Sequence, residues 1–239
     1  MTLLSLSGVT KRFPNGTEAL RDLTFDIAPG EFVSLLGPSG CGKSTALRIA
    51  AGLLAPDSGT VTRDTSEIGF VFQDPTLMPW ADALANARLP LDLKGVPHSE
   101  ANAAARAALA RVGLAGFENA YPRELSGGMK MRVSLARAMA AKPKLLLLDE
   151  PFAALDEITR NALGDDLLRL WRETGFTILF VTHSVSESSY LSGRVLVMRP
   201  RPGRITADIA LPADRTNRLA PATIEAQRTI AAALGTVTA

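Results

Sequence analysis

The stretch Gly37 to Thr45, GPSGCGKST, restricts this chain more than any other. It fits G-x-x-x-x-G-K-[ST] with Gly37, Gly42, Lys43 and Ser44 at the fixed places. Glycines let such a loop curl so that successive N–H groups point inward and cradle a phosphate. Pro38, Ser39, Gly40, Cys41 and Thr45 complete the cradle; Lys43 adds a mobile positive charge and the Ser44 hydroxyl suits Mg²⁺. Phe32 to Leu36 before the loop is uniformly apolar and reads as a buried strand, and Ser44 to Ala51 after it reads as a helix. A helix N-terminus therefore faces the anion. The chain is expected to hold a nucleoside triphosphate.

A loop of this kind needs an open α/β sheet, and the rest of the chain supplies one. Leu145-Leu146-Leu147-Leu148 is a continuous apolar run, as a strand covered on both faces requires. It ends in Asp149 and Glu150. Carboxylates at the C-terminal end of such a strand lie where these sheets bind ligands. Asp149 is placed to organise Mg²⁺ and Glu150 to orient or deprotonate a water. Phe176 to Val181 is a second buried strand, leading to Thr182 and His183, whose imidazole is expected near a γ-phosphate. Arg194 to Met198 gives a further strand. Helical periodicity runs from about Glu157 to Thr174.

Ahead of the loop, Leu3 to Phe13 and the stretch through Leu23 to Ile27 read as a hairpin turned at Pro14-Asn15-Gly16. Phe13 at its tip either stacks on a purine base or packs under its own hairpin. Thr60 to Thr62 and Ile68 to Phe72 are short strands. Gln73 ends the second, as a solvated strand-end residue or as an amide reaching Mg²⁺ or a water. Between about residues 74 and 141 the texture becomes helical, broken by Pro75, Pro79, Pro90, Pro97 and Pro122. Ser99 is the expected cap of an Ala-rich helix to about Val112. Ser126, Gly127 and Gly128 precede an amphipathic helix from Met129 to Ala140; Ser126 either caps it or helps it receive an anion. Trp80 stands on a Pro-bounded loop, Leu77 to Trp80, either buried or offered to a partner. The tail from Arg199 carries a last helix near Ala222 to Leu234.

Composition closes off several classes. At 239 residues the chain buries a substantial core. A net charge of +2 gives no basis for nucleic-acid binding. The single cysteine, Cys41, rules out an internal disulfide and suits a reducing compartment. Its place in the loop leads to the expectation that bound nucleotide shields its thiol. No basic stretch followed by an apolar run reads as a secretory signal, and the longest apolar runs fall far short of the ~20 residues that span a bilayer. Any membrane part belongs to another chain.

In order, the motifs Gly37–Thr45, Gln73, Leu125–Gly128, Leu145–Glu150, Ala154-Leu155-Asp156 and His183 resemble the nucleotide-binding subunit of ATP-binding-cassette transporters. The resemblance runs from about Leu4 to Ile205. It implies a P-loop NTPase fold with a mainly parallel core sheet flanked by helices, an N-terminal antiparallel β subdomain and a helical insertion at about 74–141. The ATPase domain would span 1–205 and the C-terminal tail 206–239. It further implies Phe13 under adenine, Gln73 as the Q-loop, and Ser126, Gly127 and Gly128 as a signature touching ATP held by the opposite subunit. Glu150 would be the base, Asp156 the D-loop acid and His183 the switch histidine. ATP and Mg²⁺ would be sandwiched in a homodimer or paired ATPase subunits on the cytoplasmic face of the membrane. Transmembrane permease subunits and, indirectly, a solute-binding protein would be the partners.

DEPFAALD, LMPWADALANARLPL and PRPGRI are similar to importers of the nitrate, sulfonate and taurine type. Met129 replaces a common Gln, Ser184 replaces a common Asp after the histidine, and the segment from Gly59 to Gln73 is shorter than usual. The alternative is a soluble cassette ATPase serving assembly or regulation, for instance in iron–sulfur cluster building; co-purification with a membrane protein separates the two. A P-loop GTPase is a third class, but no N-K-x-D base-reading motif is present.

Overall fold

A computed structural model of the chain describes residues 1–212 and 217–238. The chain forms two compact units, one of Met1–Ser66 with Thr177–Ala239 and one of Glu67–Phe176.

In the first unit, β1 (Leu4–Arg12), β2 (Glu18–Ile27) and, after β3 (Phe32–Leu36) and α1 (Lys43–Ala51), β4 (Ser58–Arg63) make an antiparallel sheet in the order β2-β1-β4. The short segment after Gly59 thus still provides the third strand. Leu4, Leu6 and Val9 of β1 alternate with more exposed residues and are fully buried. At the hairpin, Glu18 accepts from Arg21 and Arg12, and the Arg21 guanidinium above all holds its carboxyl down at about 2. All five residues of β3 are buried, as the continuous apolar run predicts.

The second unit starts with β5 (Ile68–Val71), then α2 (Ala83–Leu93), α3 (His98–Arg111), a 3₁₀ turn at Pro122–Glu124, α4 (Gly127–Ala140), β6 (Leu145–Asp149) and α5 (Glu157–Thr174). β5 and β6 pair in parallel from Ile68↔Leu145 to Val71↔Leu148. Ala101, Ala105 and Ala108 give α3 its small buried face, which lets helices approach closely. That helix starts one residue before the expected Ser99 cap. Pro97 precedes it without any side-chain cap bond, and the His98 ring meets Asn102 and Arg88 instead. α4 starts two residues earlier than periodicity suggests, because Ser126 and not a later residue caps it.

The chain then returns to the first unit through β7 (Thr177–Thr182), α6 (Val185–Leu191), β8 (Arg194–Arg199), β9 (Arg204–Ala210) and α7 (Pro221–Thr238). β3 pairs in parallel with β7 and with β8, from Phe32↔Ile178 to Leu36↔Thr182 and from Val33↔Arg194 to Leu36↔Val197. Pairing β9 antiparallel to β8 puts a strand where the sequence reads only as tail; its range spans position 205/206. α7 is longer than expected and lays Ile230 onto Leu36, Val195 and Val197. The protein is therefore α/β: parallel strand pairs carry its buried runs, helices flank them, and the N-terminal sheet is antiparallel.

The loop before α2 is held from inside. Asn86 is fully buried; its side-chain oxygen accepts from Met78 N–H at 2.7 Å. Its amide group donates to Met78, Ala81 and Asp82 carbonyls at 3.0–3.2 Å. Arg137, its charge disfavoured by burial, donates to the carbonyls of Pro75 and Thr76. Trp80 on the same loop stays 76% exposed. Asn86→Ala leaves several of these loop groups without partners and is expected to cost about 2–3 kcal/mol. Urea unfolding measures that loss; an unchanged midpoint would show the loop is held by something else.

Candidate functional site

In the first unit, β3 delivers the chain into Gly37 with no slack. A Cβ on Gly37 would lie 2.6 Å from the Met198 carbonyl oxygen. Gly42 has φ 99°, and a Cβ there would lie 2.7 Å from the Ala19 carbonyl oxygen, so both torsion and space exclude any other residue. α1 begins at Lys43 with no side chain capping it, the arrangement in which an anion takes the cap's place. Lys43 is only 3% exposed, and its ammonium donates to the carbonyls of Gly37 and Pro38 at 2.8 and 3.1 Å. Ser39 and Gly40 are exposed, and Ser44 and Thr45 half-buried.

The Cys41 side chain points inward and is 1% exposed, and a Cβ on Gly37 would lie 2.9 Å from its sulfur. A thiol reagent therefore reaches it only when the loop opens. Shielding of the thiol by nucleotide, expected from sequence, does not follow from this burial.

His183 is exposed and is the first residue beyond β7. Thr182 is paired with Leu36, so His183 and Gly37 step off adjacent parallel strands at the same level. Thr182 is bonded to Glu187, and Ser184, where the resemblance has a common Asp, caps α6 by accepting from Glu187 N–H at 3.2 Å. Phe13 is 37% exposed at the hairpin tip, and its N–H donates to the Thr17 carbonyl.

In the second unit the same strand logic aligns two other residues. Val71 is paired with Leu148, so exposed Gln73 and half-buried Glu150 both stand two residues beyond that pair. Asp149 is 4% exposed at the end of β6. Glu150 has φ 45°, the left-handed region that a residue with a side chain avoids. Ala153 N–H donates to its carbonyl at 3.2 Å and closes the turn.

The N-termini of α4 and α5 meet in this unit. Ser126 accepts from Met129 N–H at 3.2 Å and Asp156 from Thr159 N–H at 3.0 Å. Those bonds from Thr159 hold the Asp156 carboxyl below the usual carboxylate range. A Cβ on Gly128 would lie 2.5 Å from Thr159 Cγ2, and one on Gly127 would lie 3.9 Å from Leu155. Ser126 thus does cap its helix, and Gly128 is a glycine because Thr159 occupies its Cβ position. Arg132 of α4 donates to Asp166 of α5 at 2.6 Å, a second tie between the two helices. Nothing in the sequence points to Thr159, Asn86 or Arg137, since each acts through a fold contact and carries no motif.

Residues 20–153 match the sequence profile of the family described as ABC transporter. The chain belongs to this family. An uncharacterized ABC transporter ATP-binding protein of Methanocaldococcus jannaschii is 46% identical, over 90% of this chain and 85% of its own length. A taurine import ATP-binding protein of Yersinia pestis is 43% identical, over 87% of this chain and 84% of its own. A solved structure described as a dimeric, post-hydrolysis ATP-binding cassette bound to ADP and Pi has a TM-score of 0.78. It is 33% identical, over 88% of this chain and 99% of its own. The chain is an ATP-binding ABC ATPase subunit. Among the described residues, no helix of this ABC ATPase is long and apolar enough to cross a membrane.

Proposed function

We propose that this ABC ATPase powers import of a small solute of the nitrate, sulfonate or taurine class through separate membrane subunits. The observation that carries the reading is the 43% identity to a taurine import ATP-binding protein over 87% of the chain. A solute-binding protein delivers the cargo, and the ATPase sits on the cytoplasmic face of the membrane as a pair. The dimeric cassette among the similar structures supports the pairing.

The residue roles are those the family resemblance implies, and the chemistry of each side chain fits its role. Lys43 and the amides of the 37–45 loop bind the triphosphate; Phe13 offers its exposed ring to the adenine. Mg²⁺ takes hard oxygen donors, and the Ser44 hydroxyl, the Gln73 amide and the Asp149 carboxylate fit that preference. The ion neutralises phosphate charge when bound. Glu150 accepts the proton of the attacking water, and His183 donates to the γ-phosphate. Ser126, Gly127 and Gly128, at the N-terminus of α4, receive the triphosphate held by the opposite subunit, and Asp156 keeps the neighbouring turn of α5 in place.

The Trp80 loop is the docking element for a membrane subunit. The Trp80 ring is 76% exposed on a loop pinned by a buried asparagine, so it is available to such a partner without any rearrangement of the loop. Trp80→Ala is expected to leave the ATPase of the isolated chain unchanged while uptake by the assembled transporter falls at least about tenfold, the scale of a lost aromatic anchor. Normal uptake in that variant would remove the assignment. Co-purification of the wild-type chain with membrane subunits, followed by a solute screen on the accompanying binding protein, tests the importer reading itself. Recovery only as a soluble protein would overturn it.

A further inference from the structure

We infer that Gly203, in the turn between β8 and β9, is a positioning residue for the phosphate-binding loop, although it lies far from it in sequence. The turn Pro200-Arg201-Pro202-Gly203, between β8 and β9, comes up against the loop at Cys41. A Cβ on Gly203 would lie 2.2 Å from the Cys41 carbonyl oxygen, 2.9 Å from the Ala19 carbonyl oxygen and 2.9 Å from Met198 Cε. The first two are backbone atoms and cannot rotate aside. Gly203 is not among the glycines with positive φ, so space and not torsion demands the missing side chain.

The contact is part of a closed circuit. Gly203 N–H donates to the Ala19 carbonyl at 3.0 Å and Arg21 N–H donates to the Gly203 carbonyl at 3.2 Å, a bridge that adds the turn to β2. The same Ala19 oxygen is the atom that a Cβ on Gly42 would strike, and Met198, in the strand β8 that leads into the turn, blocks Gly37. Gly37, Cys41 and Gly42 are thus each backed by the turn, its leading strand or the β2 segment it bridges. The loop's curvature, and with it the direction of its amide groups, is set by this backing as well as by its own glycines. The inference rests on the reading of residues 37–45 as the triphosphate cradle.

Purified full-length Gly203→Ala, Gly193→Ala and Lys43→Ala proteins, compared with wild type for ATP affinity, steady-state kinetics and unliganded melting, provide the test. Gly193 is the control because the nearest atom to its Cβ position is the Phe32 carbonyl oxygen at 4.0 Å. Gly203→Ala should raise the ATP Kd and KM at least about tenfold while kcat at saturating ATP stays within about threefold, the split expected when ATP binding must rebuild the loop. Gly193→Ala should match wild type. If Gly203→Ala melts earlier but binds ATP as wild type does, the strain is relieved by the turn and the inference falls. If Lys43→Ala also binds ATP normally, the cradle reading itself fails, and this inference with it. Amide exchange in the wild-type protein gives the same answer without a variant. ATP should slow exchange of the Gly203 and Arg21 amides several-fold, because a ligand that favours the braced loop must by linkage favour the brace. Unchanged exchange at both would overturn the inference.

Discussion

Replacing Glu150 by glutamine is expected to lower ATP turnover by about 10²–10⁴-fold, roughly 3–5 kcal/mol of barrier, while ATP still binds. Glutamine keeps the size of the side chain and its hydrogen-bonding reach but cannot take a proton from water. The backbone supports the assignment of the base to Glu150 over its neighbour. Asp149 ends β6 at 4% exposure, whereas Glu150 is half-buried with φ 45°. Holding a residue with a side chain in that region costs on the order of 1–3 kcal/mol. The turn closed by Ala153 N–H maintains it.

A second consequence follows if each nucleotide lies between the loop of one subunit and the Ser126–Gly128 turn of the other. Two unhydrolysed ATP molecules then act as ligands of the associated state and stabilise it. Glu150→Gln with ATP should therefore elute as a dimer in sizing chromatography and return to the smaller species without nucleotide. Hydrolysis at the wild-type rate, or a monomer in saturating ATP, would remove the assignment.

Lys43→Ala should weaken ATP binding by about 10–100-fold, as loss of a charge-assisted hydrogen bond of ~1.5–3 kcal/mol predicts, and abolish measurable turnover. The ammonium is almost wholly buried and donates to the carbonyls of Gly37 and Pro38. Its loss removes both the charge for the phosphates and a tie that holds the loop closed on itself. Arginine is not a substitute, because a wide planar fork cannot sit where a compact ammonium does. Equilibrium titration with ATP checks the affinity directly, and a Kd unchanged in Lys43→Ala would exclude residues 37–45 as the triphosphate site.

Much of the site is written in short stretches, which is why it was legible without coordinates. The Gly37–Thr45 loop, the run Leu145–Leu148 with its two acids, and the helix Glu157–Thr174 each depend on interactions within a few residues. Continuous apolar runs do become buried strands, since parallel strands covered on both faces have no polar side to show. The pairs Gly37 with His183 and Gln73 with Glu150 came only from strand register. Leu36↔Thr182 and Val71↔Leu148 are contacts between remote segments that no local pattern encodes.

By itself, the sequence determined the phosphate loop, the apolar strands and membership of the ABC transporter family, and it offered Ser126 as a cap. These rest on torsional freedom, on apolar run length and on hydrogen bonds to near neighbours. Tertiary structure alone decided that residues 204–210 form an edge strand on β8 and that α7 covers Leu36 with Ile230. It alone decided that Thr159 fills the Cβ place of Gly128 and that Gly203 presses on Cys41. An alternating strand, a C-terminal helix and two ordinary residues acquire those roles because distant backbone arrives beside them. Excluded volume between such segments depends on the whole chain path, which local preferences do not contain.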